Sequence, residues 1–378
     1  MILFKFFIFS LPFVINHLIN GVDLVSYVRS LLLFLTVYIF CYAFYTLITT
    51  YHGMEGIFKK ILVTNFVLTI IALAFVSTSY RFLFWSNWSI SLVDFSIDDW
   101  PRLLMFAYEP SYYGTLLVPV FAFYFTKFIL TQDHRSALNT MLMILVPLVL
   151  SLSMGVIGSL MISISILFLL NISKFLSSKK LLYSISTVTI TVILVFIALF
   201  VFFRENPFFV RILAIVTGAD GSANGRTYEA FRLAYIIADL KSIWWGIGPG
   251  QLKIIGDSII KSFYNYPPEY GQVSIPSAFA ETLALFGIVG GFFRLSIEIY
   301  LFYKTKVLNN YYRTLLFVYI FIYQFTGSYT SNIAEYVIWT LAFTNIFPQF
   351  DKQRTNGNSA LDFNYGNLVS KKPAPPLI

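Results

Sequence analysis

The sequence predicts an all-α polytopic membrane protein with about ten transmembrane helices and one large, partly helical outer loop. Three observations predict it. The 378 residues are 58% hydrophobic and 12% charged, about half the charge of a soluble chain. The apolar residues gather in blocks, among them 24–48, 61–76, 112–130, 183–203 and 311–325. Each is near or above the length that crosses a hydrocarbon core of about 30 Å. Basic residues also recur in alternate short connections, as cytoplasmic loops require. A β-barrel would show short alternating segments instead.

In chain order the expected spans are 2–19, 24–49, 60–78, 110–130, 137–152, 155–171, 181–203, 276–303, 311–328 and 331–347. The first carries Lys5 but no small-residue cleavage site before Asn20, so it reads as a span and not a signal peptide. The stretch 139–171 is divided by "SLSMGVIG", which leaves one long broken helix open as an alternative. With the N-terminus in the cytoplasm, the inner loops hold Lys59 and Lys60, then Lys127 and Arg135, then Lys174, Lys179 and Lys180, then Lys304, Lys306 and Arg313. The tail, 351–378, adds Lys352, Arg354, Lys371 and Lys372. The outer turns near Asn20 and Ser328 hold no Lys or Arg. Both termini are therefore expected inside, and the polar tail is expected to be disordered.

The net charge is +8. Its cations are scattered over short loops, which suits anionic lipid headgroups and gives no reason to expect nucleic acid. Cys41 is the only cysteine and lies in an apolar span, so no internal disulfide forms.

Two outer segments are long, 79–109 and 204–275. A connection of the second length calls for a function. It holds Arg204, Arg211, Arg226 and Arg232, and translocated long loops are free of the charge rule. "RTYEAFRLAYIIADL" reads as an amphipathic helix with Tyr228, Phe231, Tyr235 and Ala238 at helical spacing. Arg226, Glu229 and Arg232 step by three and so share a side. In "WWGIGPGQL", Trp244 and Trp245 suit a membrane interface. Gly246, Gly248 and Gly250 would let backbone approach a ligand closely. A helix starting near Gln251 would turn free N–H groups toward an anion. Arginines and a glycine turn at a lipid surface fit a lipid-linked pyrophosphate. The plainer reading is an exposed Arg226–Glu229 pair and tryptophan anchors.

"GRTYEAF…IWWGIGPGQL" resembles the signature loop of the O-antigen polymerase and ligase superfamily. The resemblance continues in "FAETLALFGIVGG", with Glu281, Gly287 and Gly290. It extends to "YEPSYYG" (108–114), similar to the "EPS" element of Wzy-type repeat-unit polymerases. "LSLSMGVIGSL" is similar to the family's paired-helix element, but Met154 stands where an arginine is common. The match spans roughly residues 105–300. It implies an enzyme of the bacterial inner membrane that moves a glycan from an undecaprenyl-pyrophosphate donor onto an acceptor hydroxyl. The product would be O-antigen, capsule or exopolysaccharide. The resemblance also implies a chain-length regulator as a partner, beside the lipid bilayer and the lipid-linked donor and acceptor.

In ligases of this superfamily a histidine is expected near the end of the large loop. Here "VSIPSAFAE" carries Pro276 and Ser277, and the histidines are His17, His52 and His134, which favours the polymerase over the ligase. No metal or cofactor is expected, because no His/Cys group exists and the close outer acidic pair is Asp98–Asp99. Arginine presents a fork fitted to phosphate oxygens. Arg226 is the first candidate, followed by Arg232 and Arg211. Displacement also needs an acceptor hydroxyl deprotonated. Glu109, beside Pro110 at the outer mouth of a span, is the leading base, although a helix-terminal charge is the common role for such a residue. Glu281 lies about one turn inside its span, where a carboxylate is costly. It is expected to bind substrate or pair with a loop arginine. Arg294 and Glu298, four apart, are expected to neutralise each other. Trp85, Trp88 and Trp100 suit a glycan groove or an interfacial belt. Asp98 and Asp99 leave a GT-C glycosyltransferase as an alternative. A flippase is a further alternative, against which the chain shows no internal repeat.

Overall fold

The computed structural model describes residues 2–51, 53–86, 102–130, 134–172, 213, 217–218, 221–267, 269, 271 and 273–352. The expected span 181–203, the loop start with Arg204 and Arg211, Trp88, Asp98, Asp99, Trp100 and the tail beyond 352 lie outside these residues.

Twelve α-helices occur among the described residues. They are α1 (Ile2–Ile19), α2 (Leu24–Thr50), α3 (Met54–Phe75), α4 (Pro110–Leu130), α5 (His134–Leu150), α6 (Met154–Leu170), α7 (Gly221–Arg226), α8 (Tyr228–Asp239), α9 (Asp257–Phe263), α10 (Ala278–Lys304), α11 (Tyr311–Thr326) and α12 (Ile333–Phe343). Two short strands, β1 (Trp85–Ser86) and β2 (Arg102–Leu103), pair antiparallel. By length and composition, four helices can cross a membrane: α2, α3, α4 and α10. Shorter apolar helices cover Phe4–Ile19, Ser136–Leu150, Met154–Leu170 and Ile333–Phe343.

Several bounds differ from the sequence reading. The stretch 139–171 is two helices, because Leu152 takes a left-handed φ of 46° and breaks the chain between α5 and α6. The last helix is shorter than 331–347 suggests. At 11 residues it spans about 16 Å. Its end is fixed from outside: Arg313 Nε donates to Ala342 O at 2.9 Å, Arg313 Nη2 to Phe343 O at 3.2 Å, and Asn310 Nδ2 to Phe347 O at 2.9 Å. Arg313, read as a loop cation, is a buried cap that uses up carbonyls a longer helix would have needed.

The buried residues form two cores. The larger draws on α3, α4, α5, α6, α11 and α12. Helix α4 lies at its centre, buried along most of its length, whereas α2 is largely exposed. Trp85 belongs to this core and donates its Nε1 hydrogen to Ala72 O at 2.8 Å, so it lines no open groove. The second core joins α8, α9, the glycine turn and the first half of α10.

Helix α10 is broken at Gly287, where φ is 65° and ψ −168°. A break in an apolar helix frees backbone groups that must be satisfied within the protein. The loop supplies the partners. Ile247 N–H donates to Ala284 O at 3.0 Å and Gly248 N–H to Leu285 O at 2.9 Å. In return Ile288 N–H donates to Ile243 O at 3.0 Å and Val289 N–H to Trp244 O at 3.1 Å. Residues 243–248, a turn, thus fill the break.

Below the break, Arg294 joins α10, α11 and α12. It is bonded to Glu298 at 3.1 Å, Gln324 Oε1 at 2.9 Å, Thr282 Oγ1 at 2.9 Å and Glu335. Gln324 Nε2 donates to the other oxygen of Glu298 at 2.8 Å. The spacing of four expected for Arg294 and Glu298 is realised. Glu335, more distant in sequence, is the second carboxylate on the same guanidinium.

Candidate functional site

Glu109 precedes α4 and caps it, its carbonyl accepting from Tyr113 N–H at 3.1 Å. Its half-buried carboxylate accepts a hydrogen bond from Ser111 Oγ. The helix N-terminus favours a negative charge there.

At the same end, the turn 327–332 links α11 to α12 and is held on several sides. Ala278 N–H donates to Gly327 O at 3.0 Å. Thr330 N–H donates to Glu281 Oε2 at 2.7 Å. Tyr336 Oη donates to Thr330 O at 2.7 Å and Asn332 Nδ2 to Ser328 Oγ at 3.0 Å. Ser328 itself has a φ of 64°. A non-glycine residue in that region persists only where its surroundings over-determine it. Tyr329 projects from this turn.

Arg226 ends α7, which packs against α11. The residue before it is anchored by Tyr264 Oη, which donates to Gly225 O at 2.8 Å. Burial raises the Tyr264 phenol well above the usual range, with Glu229 adding to the effect. Arg226 and Glu109, of opposite charge, are both within electrostatic reach of two phenols, those of Tyr323 and Tyr329. Glu281 also acts on Tyr329. Burial, reinforced by Glu109, pushes the Tyr329 phenol up to about 12, so it stays a neutral O–H donor. A cation, a carboxylate and a neutral hydroxyl from three separate stretches therefore lie within electrostatic reach at one end of the bundle.

Other candidates lie elsewhere. Arg226 and Arg232 do not share a helix face, because Thr227 interrupts the helix and α8 begins only at Tyr228. No ion pair joins Arg226 to Glu229 among the described residues. The buried stripe of α8 is Ala230, Leu233, Ala234, Ile237 and Ala238, packed on α10. Of the face read from the sequence, Ala238 is buried and Phe231 packs on the core, whereas Tyr228 and Tyr235 are exposed. Arg232 lies 5.8 Å over the Phe263 ring of α9.

The glycine turn is a joint between backbones and not an anion cradle. Gly246 and Gly248 have φ of 75° and 93°, and the Gly248 N–H is spent on α10. Gly250, with φ 79°, sits against α2, where a Cβ would lie 2.3 Å from Ser26 O. The chain then makes a single 3-10 turn, Gln251–Lys253, too short to gather N–H groups for an anion. Gln251 instead exchanges hydrogen bonds with the Asp23 backbone at 3.0 and 3.1 Å. His17 completes the joint, one ring nitrogen 2.7 Å from Trp245 O and the other 3.0 Å from Tyr27 Oη. Glu281 faces Thr330, not a loop arginine.

Sequence reasoning missed Tyr323, Tyr329 and Ser111. Tyrosines at the end of an apolar block look like interfacial anchors, and only the opposing charges mark these two. Among the described residues, no group of three or more His, Cys, Asp or Glu is placed to hold a metal. No family model, curated protein or solved structure matches the chain.

Proposed function

We propose that the protein polymerises undecaprenyl-pyrophosphate-linked oligosaccharide repeat units on the outer face of a bacterial inner membrane. In this reading about ten spans place both termini in the cytoplasm and the 204–275 loop outside. The product is an O-antigen, capsular or extracellular polysaccharide. Arg226 ends α7 and Glu109 precedes α4, and both helices pack against α11; that shared neighbour is the observation that carries the reading. The order of the family-like motifs supports it.

The acceptor sugar's hydroxyl oxygen attacks the donor's anomeric carbon. A new glycosidic C–O bond forms while the bond from that carbon to the diphosphate oxygen breaks. The diphosphate leaves with the electron pair, and the hydroxyl proton passes to the Glu109 carboxylate. Arg226 pairs with the charge that grows on the leaving group, which is where fixed cations lower a barrier most. Arg232, over Phe263, stands aside from this pair, and Glu281 acts by holding the 327–332 turn.

The test is polysaccharide length on a gel from cells whose own copy is deleted and replaced by a variant. Arg226→Ala, inserted at normal levels, is expected to leave single repeat units. Full-length polymer from that variant overturns the assignment. Long chains made normally in the deletion strain, but not transferred to lipid A–core, would mean a ligase.

A further inference from the structure

We infer that Glu335 is an intramembrane proton-binding site: its Oε2 carries a proton in the folded protein, and Glu298 is the anion that balances Arg294. The inference stands independently of the polymerase reading.

The hydrogen bonds around Arg294 tell the two carboxyls apart. Glu298 is satisfied at both oxygens: Oε1 accepts from Arg294 Nε at 3.1 Å and Oε2 from Gln324 Nε2 at 2.8 Å. Glu335 is satisfied at one. Its Oε1 accepts from Arg294 Nη2 and, at 3.4 Å, from Trp339 Nε1. Its Oε2 is buried with no hydrogen-bond partner among the described residues, and the residue as a whole is 0% exposed. A bare anionic oxygen sealed away from water is very costly, above all inside a membrane. A carboxylic acid places its hydrogen on that oxygen and leaves Oε1 as the acceptor that Arg294 and Trp339 need. The O–H is then unpaired too, but a neutral unpaired group costs far less than a charged one.

The charge count agrees. Arg294 faces two carboxyls, so two anions would leave one charge uncompensated. The titratable groups within electrostatic reach of Glu335 are Glu281, Arg294 and Glu298 of α10, Tyr319 and Tyr323 of α11, and Tyr336 of its own helix. Arg294 is the cation among them. Helices α2 and α4 also pack against α12. Helix α2 brings Cys41 within reach of Tyr336. Its cation, Arg29, is exposed, and that of α4, Lys127, is paired with Glu55 at 2.8 Å. With the proton in place, α10 and α12 share one guanidinium. Without it, two anions compete for the same cation, so proton occupancy acts on the contact between these helices.

The experiment reads purified full-length protein in nanodiscs at neutral pH, by infrared spectroscopy and by melting temperature. Wild type should show the carbonyl band of an un-ionised carboxyl. Glu335→Gln should remove that band, and Glu281→Gln should keep it. E335Q, a neutral group of the same shape, should melt within about 2 °C of wild type. Glu298→Gln strips Arg294 of its anion and should melt lower by about 5 °C or more. The wild-type spectrum needs no variant, and absence of the band there overturns the inference. A band lost in E281Q but kept in E335Q would put the proton on Glu281 and overturn it as well. If E335Q melts as low as E298Q, or does not fold, Glu335 is ionised and the inference falls.

Discussion

Gly287 and Trp244 meet backbone to backbone: a Cβ on Gly287 would lie 2.3 Å from both the carbonyl carbon and the oxygen of Trp244. The conformation at Gly287, φ 65° with ψ −168°, is one that essentially only glycine adopts. Gly287→Ala combines both penalties and is expected to cost ~3 kcal/mol or more. Gly56→Ala, in α3 with nothing within 4 Å of its Cβ, should stabilise by about 0.5–1 kcal/mol. Melting temperatures of the two variants in detergent check the contrast, and an unchanged Gly287→Ala protein would contradict the tight contact.

Arg294 is a guanidinium shared by Glu298 of its own helix, α10, and Glu335 of α12. Removing one partner of a buried charge cluster leaves the other charges uncompensated, at about 3–5 kcal/mol. Arg294→Met should therefore lose most of the folded protein. Adding Glu298→Gln and Glu335→Gln should recover part of it, because a neutral trio strands no charge. Yield after size-exclusion chromatography reads both steps.

Asp257 gives a pH signature outside the membrane. Lys261 at 2.9 Å and Val273 N–H at 3.2 Å hold its carboxyl below the usual range. A depressed carboxylate stabilises the fold above its unfolded value, about pH 4, and the gain is lost as pH falls through the folded value. The pair is partly exposed, so the effect should stay below ~1 kcal/mol. The difference in melting temperature between wild type and Asp257→Asn should be present at neutral pH and shrink as the pH is lowered below about 4. A difference that persists there would mean the charge is not its source.

Arg226 and Arg232 separate cleanly as a test of place. Arg226→Ala should lower polymerisation in reconstituted vesicles by about 100-fold or more, the usual effect of removing a group that stabilises transition-state charge. Arg226→Lys keeps the charge without the fork and should fall between. Arg232→Ala should cost less than about tenfold, because its guanidinium rests on Phe263. Equal losses at 226 and 232 would mean that the loop rearranges to bring both to the substrate.

The helical blocks were legible because apolar runs such as 24–50 and 110–130 leave few other structures open. The pairing of Arg294 with Glu298 was legible from their spacing. What a sequence does not display is which distant backbone a glycine meets. Gly246 and Gly287 each invite a close approach, yet only the fold shows that Gly246 meets Leu285 and Gly287 meets Trp244. The buried face of α8 was legible only in part for a related reason: Tyr228 and Tyr235 are bulkier than Ala230, Ala234 and Ala238, but the small residues are the ones that let α8 lie against α10. Tyr329 carried no signal of its own, since its neighbours come from three distant stretches of chain.

The joint formed by His17, Gln251 and the broken α10 has a bearing on how the chain is made. The first helical hairpin leaves the ribosome long before 243–251, yet some of its polar atoms find their partners there: one His17 nitrogen on Trp245 and the Asp23 backbone on Gln251. Phe13 likewise waits for Phe286, and Phe9 for Phe293. The opening segment can therefore complete this joint only after residues 245–293 have been made.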